Sequence, residues 1–117
     1  MARAAPLVDE IANELDTWPG VRIEPRSDGT ALVHYEELEL GTLDRERGLV
    51  ELRFPPPEYR ELVERGAAEP ADSMSASDLI EQRIEGPADV TAALELFDRR
   101  YRELRGEDEP YSSEEET

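Results

Sequence analysis

Three consecutive prolines, Pro55-Pro56-Pro57, constrain this chain more than any other stretch of its 117 residues. Proline has no N–H to give a strand ladder, and its ring holds φ near the value of a helix's first turn. The run therefore ends the alternating segment before it, Leu49 to Phe54, and opens a helix after it. Val50, Leu52 and Phe54 fall on one face of that strand, with Leu49, Glu51 and Arg53 on the other. Tyr59, Leu62 and Val63 supply the inner stripe of the helix, and Gly66 after Glu64-Arg65 is placed to end it.

The flanking segments follow the same logic. Pro6 to Leu15 spaces Leu7, Val8, Ile11, Ala12 and Leu15 along one helix face, and Thr17-Trp18-Pro19-Gly20 stops it. Three short strands precede the central one. Val21 to Pro25 and Thr30 to Tyr35 are separated by the turn Ser27-Asp28-Gly29. Leu38 to Leu43 follows the tight turn Glu36-Glu37, with Gly41 marking a bulge or a close backbone approach. Ala67 to Ser77 reads as a flexible loop and Leu79 to Glu85 as a fifth strand. Gly86-Pro87-Ala88-Asp89 opens the longest helix, whose Val90, Leu94, Phe97, Tyr101 and Leu104 step by four and three. The expected fold is a single α+β domain over residues 1–105, in the order α-β-β-β-β-α-β-α. Its sheet is mostly antiparallel with the helices on one face. Residues 106–117, almost wholly acidic and polar, are expected to form a disordered tail.

Charge sets the solvent. Thirty acidic residues face 13 basic ones, a formal net charge of -17, and every basic residue is arginine. Self-repulsion of this size opposes compaction in dilute buffer. In molar salt the Debye length falls to about 3 Å and most of the repulsion is screened. The composition therefore points to a salt-accumulating, halophilic cytoplasm of the archaeal kind. No apolar run near the first residues suits a signal sequence, and no stretch suits a membrane span, so a cytoplasmic location without membrane partners is expected. The same acid excess disfavours nucleic acid.

Several segments resemble a known family. Trp18-Pro19-Gly20-Val21, Glu39-Leu40-Gly41, Phe54-Pro55 and Gly86-Pro87-Ala88-Asp89-Val90, in that order, are similar to motifs of small prokaryotic luciferase-domain proteins, a domain of unknown function. The resemblance spans Ile11 to Leu104 and implies their small α+β fold. The family name does not imply light emission. Relatives often carry histidines after the Glu-Leu-Gly motif and in the loop after the Glu-Pro. This chain has Thr42-Leu43-Asp44 and Ala71-Asp72-Ser73 there, so any chemistry those histidines perform is absent from it.

The residues exclude much chemistry on their own. There is no cysteine, hence no disulfide, thiolate metal site or thiol nucleophile. A single histidine, His34, excludes a His-pair metal site, and no metal or cofactor is expected. Ser73, Ser75 and Ser77 lack a nucleophile-elbow pattern. His34 falls on the strand face opposite Ala31, Val33 and Tyr35, alongside Glu51 and Arg53. That face reads as a solvated sheet surface with cross-strand ion pairs, as an open groove where Arg53 holds an anion and His34 moves protons, or as a dimer surface. Trp18 reads as a plug between the first helix and the sheet, or as a stacking platform for a ligand. Asp44 and Glu46 are weak candidates for a hard cation. The arginines at 99–105 suit the negative end of the last helix and ion pairs with Glu95, Asp98 and Glu103.

The functional expectation is a small binding module for a small molecule or an unknown protein. The alternative is an enzyme of unknown reaction class using His34, Glu51 and Arg53. One outcome follows from charge alone: melting should fall markedly when KCl is lowered from molar to about 0.1 M. A melting temperature constant across that range would refute the salt adaptation.

Overall fold

The computed structural model describes residues 5–70 and 79–106. Helix α1 (Ala5–Leu15) leads into four strands, β1 (Val21–Pro25), β2 (Thr30–Tyr35), β3 (Leu38–Asp44) and β4 (Leu49–Arg53). Helix α2 (Pro56–Glu64), strands β5 (Glu69–Pro70) and β6 (Leu79–Arg83), and helix α3 (Pro87–Arg105) complete the chain. The strands form one sheet in the order β1-β2-β3-β4-β6-β5, and every neighbouring pair is antiparallel. This is the expected α+β domain, with one addition. The expected loop after α2 is not irregular from its start, because Glu69 and Pro70 pair with Glu81 and Ile80. Most of that loop, its three serines included, and the acidic tail beyond Gly106 lie outside the described residues.

The proline run behaves as its chemistry requires. β4 ends at Arg53, Phe54 turns its ring into the core, and Pro56 and Pro57 form the first turn of α2. Gly66, at φ +78°, takes the left-handed position that closes this helix. Its N–H donates to the Val63 carbonyl at 3.1 Å and the Ala67 N–H to the Leu62 carbonyl at 3.0 Å, which satisfies carbonyls the helix end leaves open.

The core lies between the sheet and the helices. Val33, Leu43, Val50, Leu52 and Ile80 from the strands meet Val8, Ile11 and Leu15 of α1 and Ala93, Leu96 and Phe97 of α3. Gly41 sets how closely α3 approaches. A Cβ there would lie 2.6 Å from the Glu51 carbonyl oxygen, 2.9 Å from Phe97 Cε1 and 3.1 Å from Leu52 Cγ. The Phe97 ring thus rests on bare backbone. Beside it the β2–β3 register shifts, so that Val33 faces Gly41 while His34 faces Glu39. The extra residue, Leu40, is buried in the core.

The exposed edges are poor templates for another strand. Arg26 and Glu36 donate to Thr30 and Gly20 across the β1–β2 ladder, so the even-numbered residues of β1 bond inward. Of the outward-facing Val21, Ile23 and Pro25, the Val21 N–H already donates to Trp18 and Pro25 has none. Ile23 alone offers an outward donor, and β5 at the other edge is two residues ending in proline.

The open face is less solvated than alternation suggests. Leu49 is fully buried, and Asp44 and Glu81 are nearly so, which corrects the expectation of a uniformly wet surface around β4. The tightest test of the packing is Gly41→Ala, which places a methyl group against immobile backbone and should lower unfolding stability by about 2 kcal/mol or more. Chemical denaturation would measure it, and a loss below ~0.5 kcal/mol would show that α3 does not sit as described.

Candidate functional site

On the open face the register decides which candidate residues meet. Glu51 faces Thr42 on one side and Glu81 on the other, and Glu69 faces Glu81 in turn. Three carboxylates therefore share one cross-strand row. Glu81 is 4% exposed. Its Oε2 lies 3.9 Å from an Arg83 nitrogen, and its Oε1 has no hydrogen-bond partner. Burial, with the nearby charges of Glu81 and Asp44, raises the Glu51 pKa, and Arg47 opposes the shift. Beyond Gly41 and Leu52 the β3–β4 pairing stops. There Glu39, Thr42, Glu51 and Arg53 line a cleft of about 120 Å³, which Arg100 of α3 also borders.

The structure thus brings Glu51 and Arg53 together, as their i, i+2 spacing indicates, but not His34. The β2–β3 bulge sets His34 opposite Glu39, and its Nε2 lies 2.9 Å from Glu24 Oε1 across the β1–β2 pair. Its side chain is 16% exposed, and β3 separates it from Glu51. Asp44, one of the weak cation candidates, instead accepts from the Arg47 N–H at 3.0 Å and holds the β3–β4 turn. No group of three or more His, Asp or Glu residues among those described is placed to hold a metal ion.

Trp18 belongs to the opposite side of the sheet. Its ring packs 5.0 Å from that of Tyr101, which meets Tyr35 edge-on at 5.3 Å. The Tyr101 hydroxyl donates to the Pro19 carbonyl at 2.7 Å, and the Trp18 indole N–H to Glu14 at 3.2 Å. This is the plug arrangement: both ends of the ring system are occupied by the chain itself.

A second concavity, not singled out from the sequence, lies beneath the β1–β2 hairpin. Val8 and Ala12 of α1 face Ile23, Pro25, Ala31 and Leu43 across a groove of about 280 Å³. It exists because the residues that would otherwise close it, Ala12, Gly29 and Ala31, are small. Arg45 borders it and makes a two-point pair with Asp9, Nε to Oδ1 at 2.9 Å and the second nitrogen to Oδ2 at 3.1 Å. Two i, i+4 positions on α1 and a pair 36 residues apart were the only sequence signal, and neither is legible without the fold.

The arginines of α3 have neighbours within the chain. Arg99 donates to Glu58 at 3.0 Å and Glu61 at 3.1 Å, tying α2 to α3, and stacks 6.0 Å from the Phe54 ring centre. Arg100 pairs with Glu103 at 3.0 Å, Arg102 with Asp98 at 3.1 Å, and Arg105 donates to the Tyr101 hydroxyl. Glu103 stands out in this junction. Burial and a hydrogen bond with Glu58 push its pKa from the ordinary 4.5 up to about 7, against the pull of Arg100.

Compared with protein-family models, curated proteins and solved structures, the chain matches none. The motif residues that carry the family resemblance have structural roles here. Trp18 and Pro19 meet Tyr101, Gly41 lies under Phe97, and Asp89 reaches back to the Glu85 N–H at 2.8 Å.

Two outcomes follow. A carboxyl whose folded pKa lies above its unfolded value binds protons more tightly when folded, so its effect on stability worsens as pH rises from about 4.5 to about 7. Glu103→Gln should therefore gain stability relative to the parent chain across that window and show no further relative change above it. Parallel pH profiles for the two proteins would contradict the raised pKa. On the open face, Glu81→Gln removes a buried charge directly opposite Glu51 and should raise stability by about 0.5 kcal/mol in low salt. A loss on that substitution would mean that the carboxylate has a favourable partner.

Proposed function

We propose that the protein is a non-catalytic binding module for a small molecule, working in the salt-rich cytoplasm that its charge suggests, with the groove under the β1–β2 hairpin as its site. The groove's apolar walls carry this reading. Side chains of three strands and one helix leave a preformed concavity in the core face of the sheet. Its volume is at the small end for ligand sites, which favours a compact ligand over a nucleotide. A rigid cradle of strand and helix also suits binding better than a loop would. The blunted sheet edges disfavour strand addition by a protein partner or a second copy. The motif resemblance supports membership of the luciferase-domain family and adds no activity.

The cleft on the open face supports a second reading, an enzyme. Glu51 has a raised pKa, adjoins Arg53 and lies within reach of solvent, which are properties of a general acid beside an anion clamp. His34, bonded to Glu24 and separated by β3, takes no part in that version. The groove is preferred because it is larger and mostly apolar, whereas the cleft is narrow and bordered by charged side chains.

The test is a thermal-shift panel in molar KCl with compact apolar and amphipathic molecules, run on the parent chain and on Ala12→Phe, which fills the groove. A ligand at about 100 times its dissociation constant should add roughly 2.7 kcal/mol of stability to the parent and nothing to the variant. Shifts that persist in Ala12→Phe but vanish in Glu51→Gln or Arg53→Ala would move the site to the open face.

A further inference from the structure

The groove differs from the rest of the molecule in charge. The chain carries a net -17, yet the charged side chains lining the groove are two arginines and one aspartate. Asp9 is already engaged, since both of its oxygens accept from Arg45. Arg26 makes no ion pair among the described residues. The nearby Asp28 carboxylate accepts from the Thr30 N–H and hydroxyl instead, and feels Arg26 only through space. The Arg26 guanidinium therefore stands at the mouth of an apolar groove, placed to meet an anion. Arginine presents a planar fork that matches a carboxylate at two points.

Resting on the groove reading above, we infer that the ligand is a small amphipathic carboxylate whose aliphatic body lies in the groove and whose head meets Arg26. The body is aliphatic because no aromatic residue lines the groove, so a flat ring would find no stacking partner. Its length follows from volume. At roughly 30 Å³ for each water-sized group, the groove holds about nine, close to an eight-carbon chain with its head group. Val8, Ala12, Ile23 and Leu43 contact the chain. Arg45, its charge met by Asp9, closes one side.

Octanoate and octan-1-ol, which share the body and differ in the head, separate the two layers of this proposal. Each is titrated into the full chain in the same molar KCl buffer, and binding is read from the methyl NMR signals of Val8, Ile23 and Leu43. Octanoate is expected to bind about tenfold more tightly than the alcohol, a difference typical of a charge-assisted contact. Arg26→Gln should bring octanoate to the level of the alcohol while leaving alcohol binding unchanged. Equal binding of both probes to the parent chain would overturn the carboxylate inference and leave the groove reading standing. If neither probe moves those methyl signals, both fall. If octanoate moves signals of the α2–α3 arginine junction instead, the inference is likewise overturned. Arg26 lies on the surface at the end of β1, so its replacement does not threaten folding, and an unchanged spectrum of the free variant verifies that.

Discussion

Helix α3 comes against bare sheet backbone where one residue has no side chain. The Phe97 ring occupies the space that a Cβ on Gly41 would need, with the Glu51 carbonyl and Leu52 immediately behind. Burying an aromatic ring of this size contributes about 1.5–3 kcal/mol. Close contact with the backbone also fixes the helix's height, so Val90, Ala93 and Leu96 meet the rest of the core. The bulge at Leu40 follows from the same crowding: a residue is added to β3 beside Gly41, and its side chain joins the core instead of the open face.

With α3 seated over the middle of the sheet and meeting β2 at Tyr35 through Tyr101, the other end of the β1–β2 hairpin is covered by α1. α1 meets it through Val8 and Ala12, which are too small to fill the space over Ile23 and Ala31. The groove is therefore a consequence of where the long helix lies. Electrostatics then distinguishes the two faces. On the open face, Glu51, Glu69 and Glu81 align across three strands, and burial makes the charges of Glu51 and Glu81 costly. Among the side chains that line the groove, two arginines meet one aspartate. In a molecule whose surface is overwhelmingly negative, both departures stand out against a background that salt screens.

Much of the architecture was legible in the sequence because period and punctuation agreed. The four-three stepping from Val90 to Leu104, the prolines before Glu58 and the turns at Asp28-Gly29 and Glu36-Glu37 place α3, α2 and the meander close to where they lie. What could not be read were the features that need a partner's register. His34 shares a strand face with Glu51 and Arg53 by alternation alone, but one extra residue in β3 and a bond to Glu24 divert it. Leu49 falls by alternation on the face that reads as solvated and is buried, as is Glu81 of the neighbouring strand. Arg45 and Asp9 meet only because α1 folds back over the β3–β4 turn. Ala12 and Ala31 matter for the volume they leave empty, a property that no single position in a sequence reveals.

A double-mutant cycle on Gly41 and Phe97 tests most directly whether this one contact governs the packing. Gly41→Ala, Phe97→Leu and the combined variant would be unfolded by denaturant in molar KCl. The smaller leucine should relieve most of the crowding at residue 41, giving a favourable coupling energy of about 1 kcal/mol or more, within the range found for residues in contact. Costs that simply add would mean that Phe97 does not press on Gly41, and the position of α3, with the groove that depends on it, would have to be sought elsewhere.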